Sequence, residues 1–222
     1  MIRTLLADGN DTFRLGVRTA LEKQPSGVTI DEARDRAQLI SSLRARDYGL
    51  IIIDPLLTGG TGESLIKQVC TLAPKSNILV FTAMDELVYG SRVIRSGARG
   101  YLPKTCSAED LTTAVARVGS GKMHISRVLS EEIANNLYEG AIRPLHDQLT
   151  DRELQVFSML VCGTKVTEVA KNLHLSVKTI STHKMRIMGK LRVTSLSEMV
   201  QYAIAQRLLE SCKTRCASFC KN

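Results

Sequence analysis

Leu50-Ile51-Ile52-Ile53-Asp54 sets the architecture of the first half of this 222-residue chain. The apolar run does not alternate and is rich in β-branched residues, which is the pattern of a strand covered on both faces. Strands of that kind lie at the centre of parallel sheets. The run stops at a carboxylate, at the strand end where open α/β sheets bind their ligands.

Working outward, Ile2-Arg3-Thr4-Leu5-Leu6-Ala7 and Val28-Thr29-Ile30 read as strands before it. Ile78-Leu79-Val80-Phe81 and Gly100-Tyr101-Leu102 read as strands after it. Helical spacing separates them. It runs through Phe13, Val17 and Leu21 in 12–23, through Ala37, Ile40 and Leu43, and then through 65–72, 87–94 and 108–118. Ser107, followed three residues on by Asp110, gives the last of these an N-cap and an acidic first turn. Five successive βα units predict a doubly wound, five-stranded parallel sheet of flavodoxin-like form.

Such a sheet gathers the polar residues that end its strands. Asp8 follows the first strand, Asp54 the third and Thr82 the fourth, and Lys104 lies just past the fifth. Two carboxylates, a hydroxyl and an ammonium at one sheet edge suit a divalent cation and a phosphoryl group. A carboxylate accepts the phosphoryl as an acyl phosphate, Mg²⁺ neutralises charge, and Lys and Thr bind phosphoryl oxygens.

These motifs fall in the order and spacing of a response-regulator receiver domain, which residues 1–120 resemble. The carriers are Leu5-Leu6-Ala7-Asp8, Ile51-Ile52-Ile53-Asp54, Gly59 to Gly62, Phe81-Thr82-Ala83, Gly97-Ala98 and Gly100-Tyr101-Leu102-Pro103-Lys104. The resemblance implies that Asp54 is the phosphoacceptor, that Thr82 and Lys104 sense the phosphoryl group, and that Tyr101 is the switch aromatic. It also implies a weak Mg²⁺ site at Asp8 and Asp54. Three departures stand out. Gly9 occupies the place of a second acid, Thr58 the place of a proline, and Pro103 precedes Lys104. Glycine offers no ligand oxygen, so a metal there keeps more water.

Gly119-Ser120-Gly121 closes the βα pattern. The division expected is a receiver-like domain at 1–122 and a linker at 123–147 with a helix near 130–138. A helix-turn-helix domain at 148–211 and a cysteine-containing tail at 212–222 complete it. Thr150 and Glu153 form a capping-box signature, and helices are expected at 151–161, 166–173, 177–191 and 195–209. Ser176 is a good N-cap for the third of these. At about 100° per residue its Ile180, Ile187 and Leu191 share one face. Lys178, Thr182, Met185 and Gly189 lie opposite, with Ser181 and Arg186 at the edges. Lys and Arg there suit phosphates and guanine, and Ser, Thr and Met suit base edges and thymine methyls. The DNA-contact set expected is Lys178, Thr179, Ser181, Thr182, Lys184, Met185 and Arg186.

Leu149-Thr150-Asp151-Arg152-Glu153-Leu154, Gly163, Glu168-Val169-Ala170, Leu173, residues 175–183 and Lys190-Leu191 resemble the LuxR/FixJ/NarL class of helix-turn-helix domains. Val166-Thr167-Glu168 and Lys178-Thr179-Ile180-Ser181 lean toward an RcsB-like subgroup. Lys165 stands where a capping Ser or Thr is common. This resemblance implies a homodimer on double-stranded DNA carrying an inverted or direct repeat. It also implies a cognate sensor histidine kinase and RNA polymerase as partners.

Charge agrees with the DNA reading. Residues 1–147 hold 18 Lys+Arg and 17 Asp+Glu, whereas 148–222 hold 12 and 5. From Lys165 to Arg192 there are seven basic residues and one Glu. A local basic excess fits a polyanion. No apolar run approaches the roughly 20 residues of a membrane span, and the opening residues do not read as a signal peptide, so a cytoplasmic location is expected. The six cysteines do not read as a disulfide framework; Cys70, Cys106 and Cys162 are isolated. Cys212, Cys216 and Cys220 recur every four residues without matching a metal motif. The readings in competition are a regulator that works without phosphorylation, which Gly9 favours, a thiol or metal sensor using the tail, and an enzyme on a flavodoxin-like sheet. Against the enzyme stands the lack of a Gly-rich phosphate loop, a Ser/His/Asp set or a nicotinamide fingerprint.

Overall fold

The computed structural model describes residues 2–22, 28–57, 62–138, 144–206 and 208–209. Thr58, the Gly59–Thr61 stretch and the three tail cysteines therefore lie outside the described residues. The chain divides into two compact units, Met1–Tyr138 and Glu139–Asn222.

The first unit is an all-parallel five-stranded sheet of order β2-β1-β3-β4-β5. The strands are β1 (Arg3–Ala7), β2 (Thr29–Ala33), β3 (Leu50–Ile53), β4 (Asn77–Thr82) and β5 (Gly100–Pro103). The helices between and after them are α1 (Asp11–Glu22), α2 (Arg36–Ala45), α3 (Gly62–Leu72), α4 (Glu86–Arg95) and α5 (Ala108–Gly119). β3 is central, as its composition demands, and Leu50 to Ile53 are all buried. Leu6, Ile52, Leu79, Phe81, Leu102 and Val118 join α1 and α5 in one apolar cluster.

β2 runs three residues further than its apolar signal, through Asp31, Glu32 and Ala33. Charged residues are tolerated because β2 is an edge strand and each charge has a partner. Glu32 receives Arg14 Nε at 3.1 Å and Arg18 Nε at 3.0 Å. Asp31 accepts the Tyr48 hydroxyl at 2.9 Å. Burial works against the charge on Glu32, but the hydrogen bonds from Arg18 and Arg14 outweigh it and lower its pKa. Pro103 ends β5, an edge strand where a missing N–H is harmless. The ladder resumes one residue later, with Lys104 N donating to Thr82 O at 2.8 Å.

The segment after α5 stays with the sheet. His124 pairs in parallel with Gly100 at the free edge of β5, and Tyr101 N donates to His124 O at 2.9 Å. α6 (Arg127–Tyr138) follows and packs on α4. Fully buried Leu129 sits where Gly90 has no side chain, since a Cβ there would meet the Leu129 δ-carbons at 2.8 and 2.9 Å. Ser91 Oγ donates to Glu132 Oε1 at 2.6 Å beside it.

The second unit holds a 3₁₀ turn (Leu145–Gln148), α7 (Asp151–Val161), α8 (Val166–Asn172), α9 (Val177–Leu191) and α10 (Leu196–Ala205). The Thr150–Glu153 capping box forms, and Ser176 accepts from Thr179 N at 3.0 Å to start α9. Lys165 gives α8 no side-chain cap. α10 ends at Ala205, short of the 209 expected. Buried His146 in the turn is held by the Tyr202 hydroxyl, 3.0 Å from its Nδ1. Cys162, read as isolated, is disulfide-bonded. Among the described residues no helix is long and apolar enough to cross a membrane.

Candidate functional site

Asp8, Asp54, Thr82 and Lys104 converge at the carboxyl edge of the sheet because β1, β3, β4 and β5 run parallel and in register. Asp8, Asp54 and Thr82 are all buried. Lys104 Nζ lies between the carboxylates, 2.5 Å from Asp54 Oδ2 and 2.6 Å from Asp8 Oδ2. Asp54 Oδ1 accepts the Thr82 hydroxyl at 2.9 Å and the Leu56 N–H at 3.0 Å. Asp8 Oδ1 accepts Asn10 N at 2.9 Å, whereas Asp8 Oδ2 is buried and has no well-directed hydrogen bond.

Asp8 Oδ2, which meets the Lys104 ammonium, and the buried Asp54 carboxylate on the other side of that ammonium are the donor chemistry of a hard-cation site. It is a small one, because no cluster of three or more His, Cys, Asp or Glu residues exists among the described residues. The place of a third acid is open: a Cβ on Gly9 would find only Arg34 O, at an ordinary 3.7 Å.

Three neighbours were not evident from sequence. The Phe13 ring covers Lys104 Nζ at 4.4 Å and meets Phe81 edge-on at 6.3 Å. Arg14, only 3% exposed, donates from Nη1 to the Asp8 carbonyl at 2.7 Å and also pairs with Asp11. Asn10 Oδ1 caps α1 by accepting from Thr12 N at 2.9 Å. Phe13 carried a signal only as a helix-core position, and Arg14 carried none.

A chain of hydrogen bonds leaves the pocket. Thr82 Oγ1, which donates to Asp54, accepts Met84 N at 3.3 Å. Met84 O accepts the hydroxyl of buried Tyr101 at 2.7 Å, and Tyr101 N reaches His124 O. Met84 is followed by Asp85, the N-cap of α4. The pocket is thereby joined through Tyr101 to α4 and to the segment that leads into α6.

In the second unit α9 packs on α7 and α8 through Ile180, Ile187 and Leu191. Lys178, Ser181, Thr182, Met185 and Arg186 are exposed, while Thr179 and Lys184 are half-buried on the flanks. The Thr179 hydroxyl is 2.8 Å from that of Ser176. His174 occupies the tight turn before α9 with a positive φ of 52°. α9 contains no carboxylate. His183 is half-buried, and burial lowers its pKa, which sets it apart from the exposed residues of α9.

The family model described as response regulator receiver domain matches residues 4–116. That described as bacterial regulatory proteins, luxR family, matches 147–203. The transcriptional regulatory protein LiaR of Bacillus subtilis is 29% identical over 212 residues, covering 94% of this chain and all of LiaR. The oxygen regulatory protein NreC of Staphylococcus carnosus is 27% identical, with 94% and 100% covered. Solved structures of RcsB from Salmonella superpose with TM-scores of 0.56 for a Salmonella typhimurium form and 0.58 for one bound to promoter rprA with the phosphomimetic BeF3⁻. These are 28% and 27% identical and cover 92% and 91% of this chain, and 98% of each RcsB chain. Fold and sites define a receiver coupled to a helix-turn-helix unit. The chain belongs to the response-regulator receiver family and is a two-component transcriptional regulator with a LuxR-type DNA-binding domain.

Proposed function

We propose that Asp54 accepts a phosphoryl group and that this controls how α9, in a homodimer, engages double-stranded DNA. The observation that carries the reading is the pocket itself: the Asp54 carboxylate is held between Lys104 and Thr82, next to Asp8. An Asp54 oxygen attacks the phosphorus of the donor, for which a sensor histidine kinase is the natural source. The donor's bond to phosphorus breaks, and the acyl phosphate remains on Asp54. Lys104 shifts its charge from the free carboxylate to a phosphoryl oxygen, and Thr82 donates to another. Asp8 and Asp54 would hold a Mg²⁺, which supplies charge neutralisation for the incoming phosphoryl.

Residues 1–122 act in this reading as the receiver and 148–211 as the DNA-binding domain. The linker of 123–147 has its helix resting on the receiver. Output goes to transcription in the cytoplasm through RNA polymerase, not to catalysis. Lys178 and Arg186 support a DNA-facing α9 by their exposure, and Thr179 and Lys184 belong to its margins.

A second reading has one observation in its favour. With glycine at position 9 in place of an acid, Lys104 ion-pairs with both buried carboxylates, so less uncompensated negative charge is left to draw a metal. One experiment separates the two. The full chain is given BeF3⁻ and Mg²⁺, and its affinity for a duplex selected by the protein is compared with that of Asp54→Asn. The phosphoryl reading expects tightening in the native chain only. Equal affinities with and without BeF3⁻, in both proteins, would establish the phosphorylation-independent regulator instead.

A further inference from the structure

The midline of the outward face of α9 holds few polar side chains, the exposed Ser181 and Arg186 lying at its edges. Lys178, Thr182, Met185 and Gly189 follow one another along its midline. Thr182 is exposed, but its hydroxyl donates to the Lys178 carbonyl at 3.0 Å. Its proton is committed within the helix, which leaves its methyl and an accepting lone pair for a partner. Met185 is 67% exposed and Val177, at the flank, 48%. Gly189 has nothing within 4 Å of the place of a Cβ, so a groove wall can approach the helix backbone. The buried side of the same helix is fully packed, with Ile180 and Ile187 wholly inaccessible. The outward midline thus carries an exposed apolar side chain, Met185, with Val177 at the flank.

Charge chooses the occupant. With Lys178, Lys184 and Arg186 along α9 and no carboxylate on it, a polyanion is favoured over an acidic or apolar helix. Of the groups displayed in the DNA major groove, the C5-methyl of thymine is the apolar one. We infer that α9 reads thymine methyl groups through Thr182 and Met185, with Val177 extending the contact and Lys178 anchoring the phosphate or guanine beside it. The inference rests on the DNA-binding reading above and names what that site selects.

The test is selection of duplexes by the full-length chain from random pools, one synthesised with thymidine and one with deoxyuridine, which lacks the methyl. The thymidine pool is expected to converge on half-sites with thymines at adjacent positions. Deoxyuridine placed at those positions weakens binding about fourfold per methyl, the equivalent of one buried methylene. Met185→Ala, at an exposed position and with an unchanged melting curve, shrinks that distinction while keeping the salt dependence. Equal affinity for thymine and uracil duplexes, or a converged half-site without thymine, overturns the inference and leaves DNA binding intact. Failure of both pools to converge, or binding indifferent to salt, refutes the DNA-binding reading itself, and the methyl reading falls with it. Capture of an acidic protein in place of DNA would have the same consequence.

Discussion

Gly90→Ala is expected to change sign with the residue at position 129. In the interior of α4, alanine gains about 1 kcal/mol over glycine in helix propensity. In the native background the new Cβ falls 2.8 and 2.9 Å from the Leu129 δ-carbons and 3.2 Å from Glu86 Cγ. Overpacking of that kind costs about 1–3 kcal/mol, so the net effect is a weaker seat for α6. Leu129→Ala alone removes a fully buried side chain and costs about 2–5 kcal/mol. With those carbons gone, the Cβ at position 90 fills part of the cavity and the propensity gain of about 1 kcal/mol appears. The coupling expected is therefore about 1–3 kcal/mol, favouring the double variant over the sum of the singles. Amide hydrogen exchange over 127–138 in the full chain reads the release of α6 directly, where melting of two units is not two-state. If Gly90→Ala has the same effect in both backgrounds to within about 0.5 kcal/mol, α6 is not seated on Gly90 and the α4–α6 junction is wrong.

Gly9→Asp is expected to raise Mg²⁺ affinity and speed the labelling of Asp54 by a small phosphodonor, because the place of its Cβ is open; unchanged Mg²⁺ titration and labelling would show that water already does the work of the missing acid. In the second unit Glu153 accepts Lys190 Nζ at 2.5 Å and Thr150 N at 2.8 Å. Burial works against its charge, yet these bonds prevail and hold its pKa below the ordinary 4.5. A depressed folded value means stability present above about pH 4.5 and lost as pH falls through the folded pKa. Glu153→Gln should flatten the acid limb of unfolding of this unit, and an unaltered limb would mean that the pair contributes nothing there.

The centre of the sheet was legible because Leu50 to Ile53 have no polar face to show, and α9 because Ile180, Ile187 and Leu191 recur on one side with an N-capping serine before them. The end of β2 was hidden. Asp31 and Glu32 read as loop until Tyr48, Arg14 and Arg18 come from elements that are neighbours only in the fold. Convergence of Asp8, Asp54, Thr82 and Lys104 followed from parallel topology alone. The cover of Phe13 over Lys104 did not, since a helix-core phenylalanine looks the same whether it meets a leucine or an ammonium. The lodging of α6 depends on a glycine in α4, and spacing within α6 carries no trace of that glycine. The commitment of the Thr182 proton is likewise a rotamer choice, made after the backbone is set.

The rung that His124 adds to β5 has a bearing on how this sheet keeps its own company. A strand at the rim of a sheet offers its unpaired N–H and C=O groups to any extended chain that drifts past. Here the Tyr101 N–H is already taken by His124 O, and His124 N donates in turn to Arg99 O at 3.0 Å. Gly100 makes room for the approach, since a Cβ there would lie 3.1 Å from the same His124 carbonyl. The first residues beyond α5 therefore serve as a hem on the sheet as well as a tether to the next unit. A receiver trimmed at residue 122 would keep its pocket and its core, and lose that hem. It would meet other copies of itself along a raw β5 margin, so the natural place to cut lies beyond α6, where the backbone has finished closing the edge.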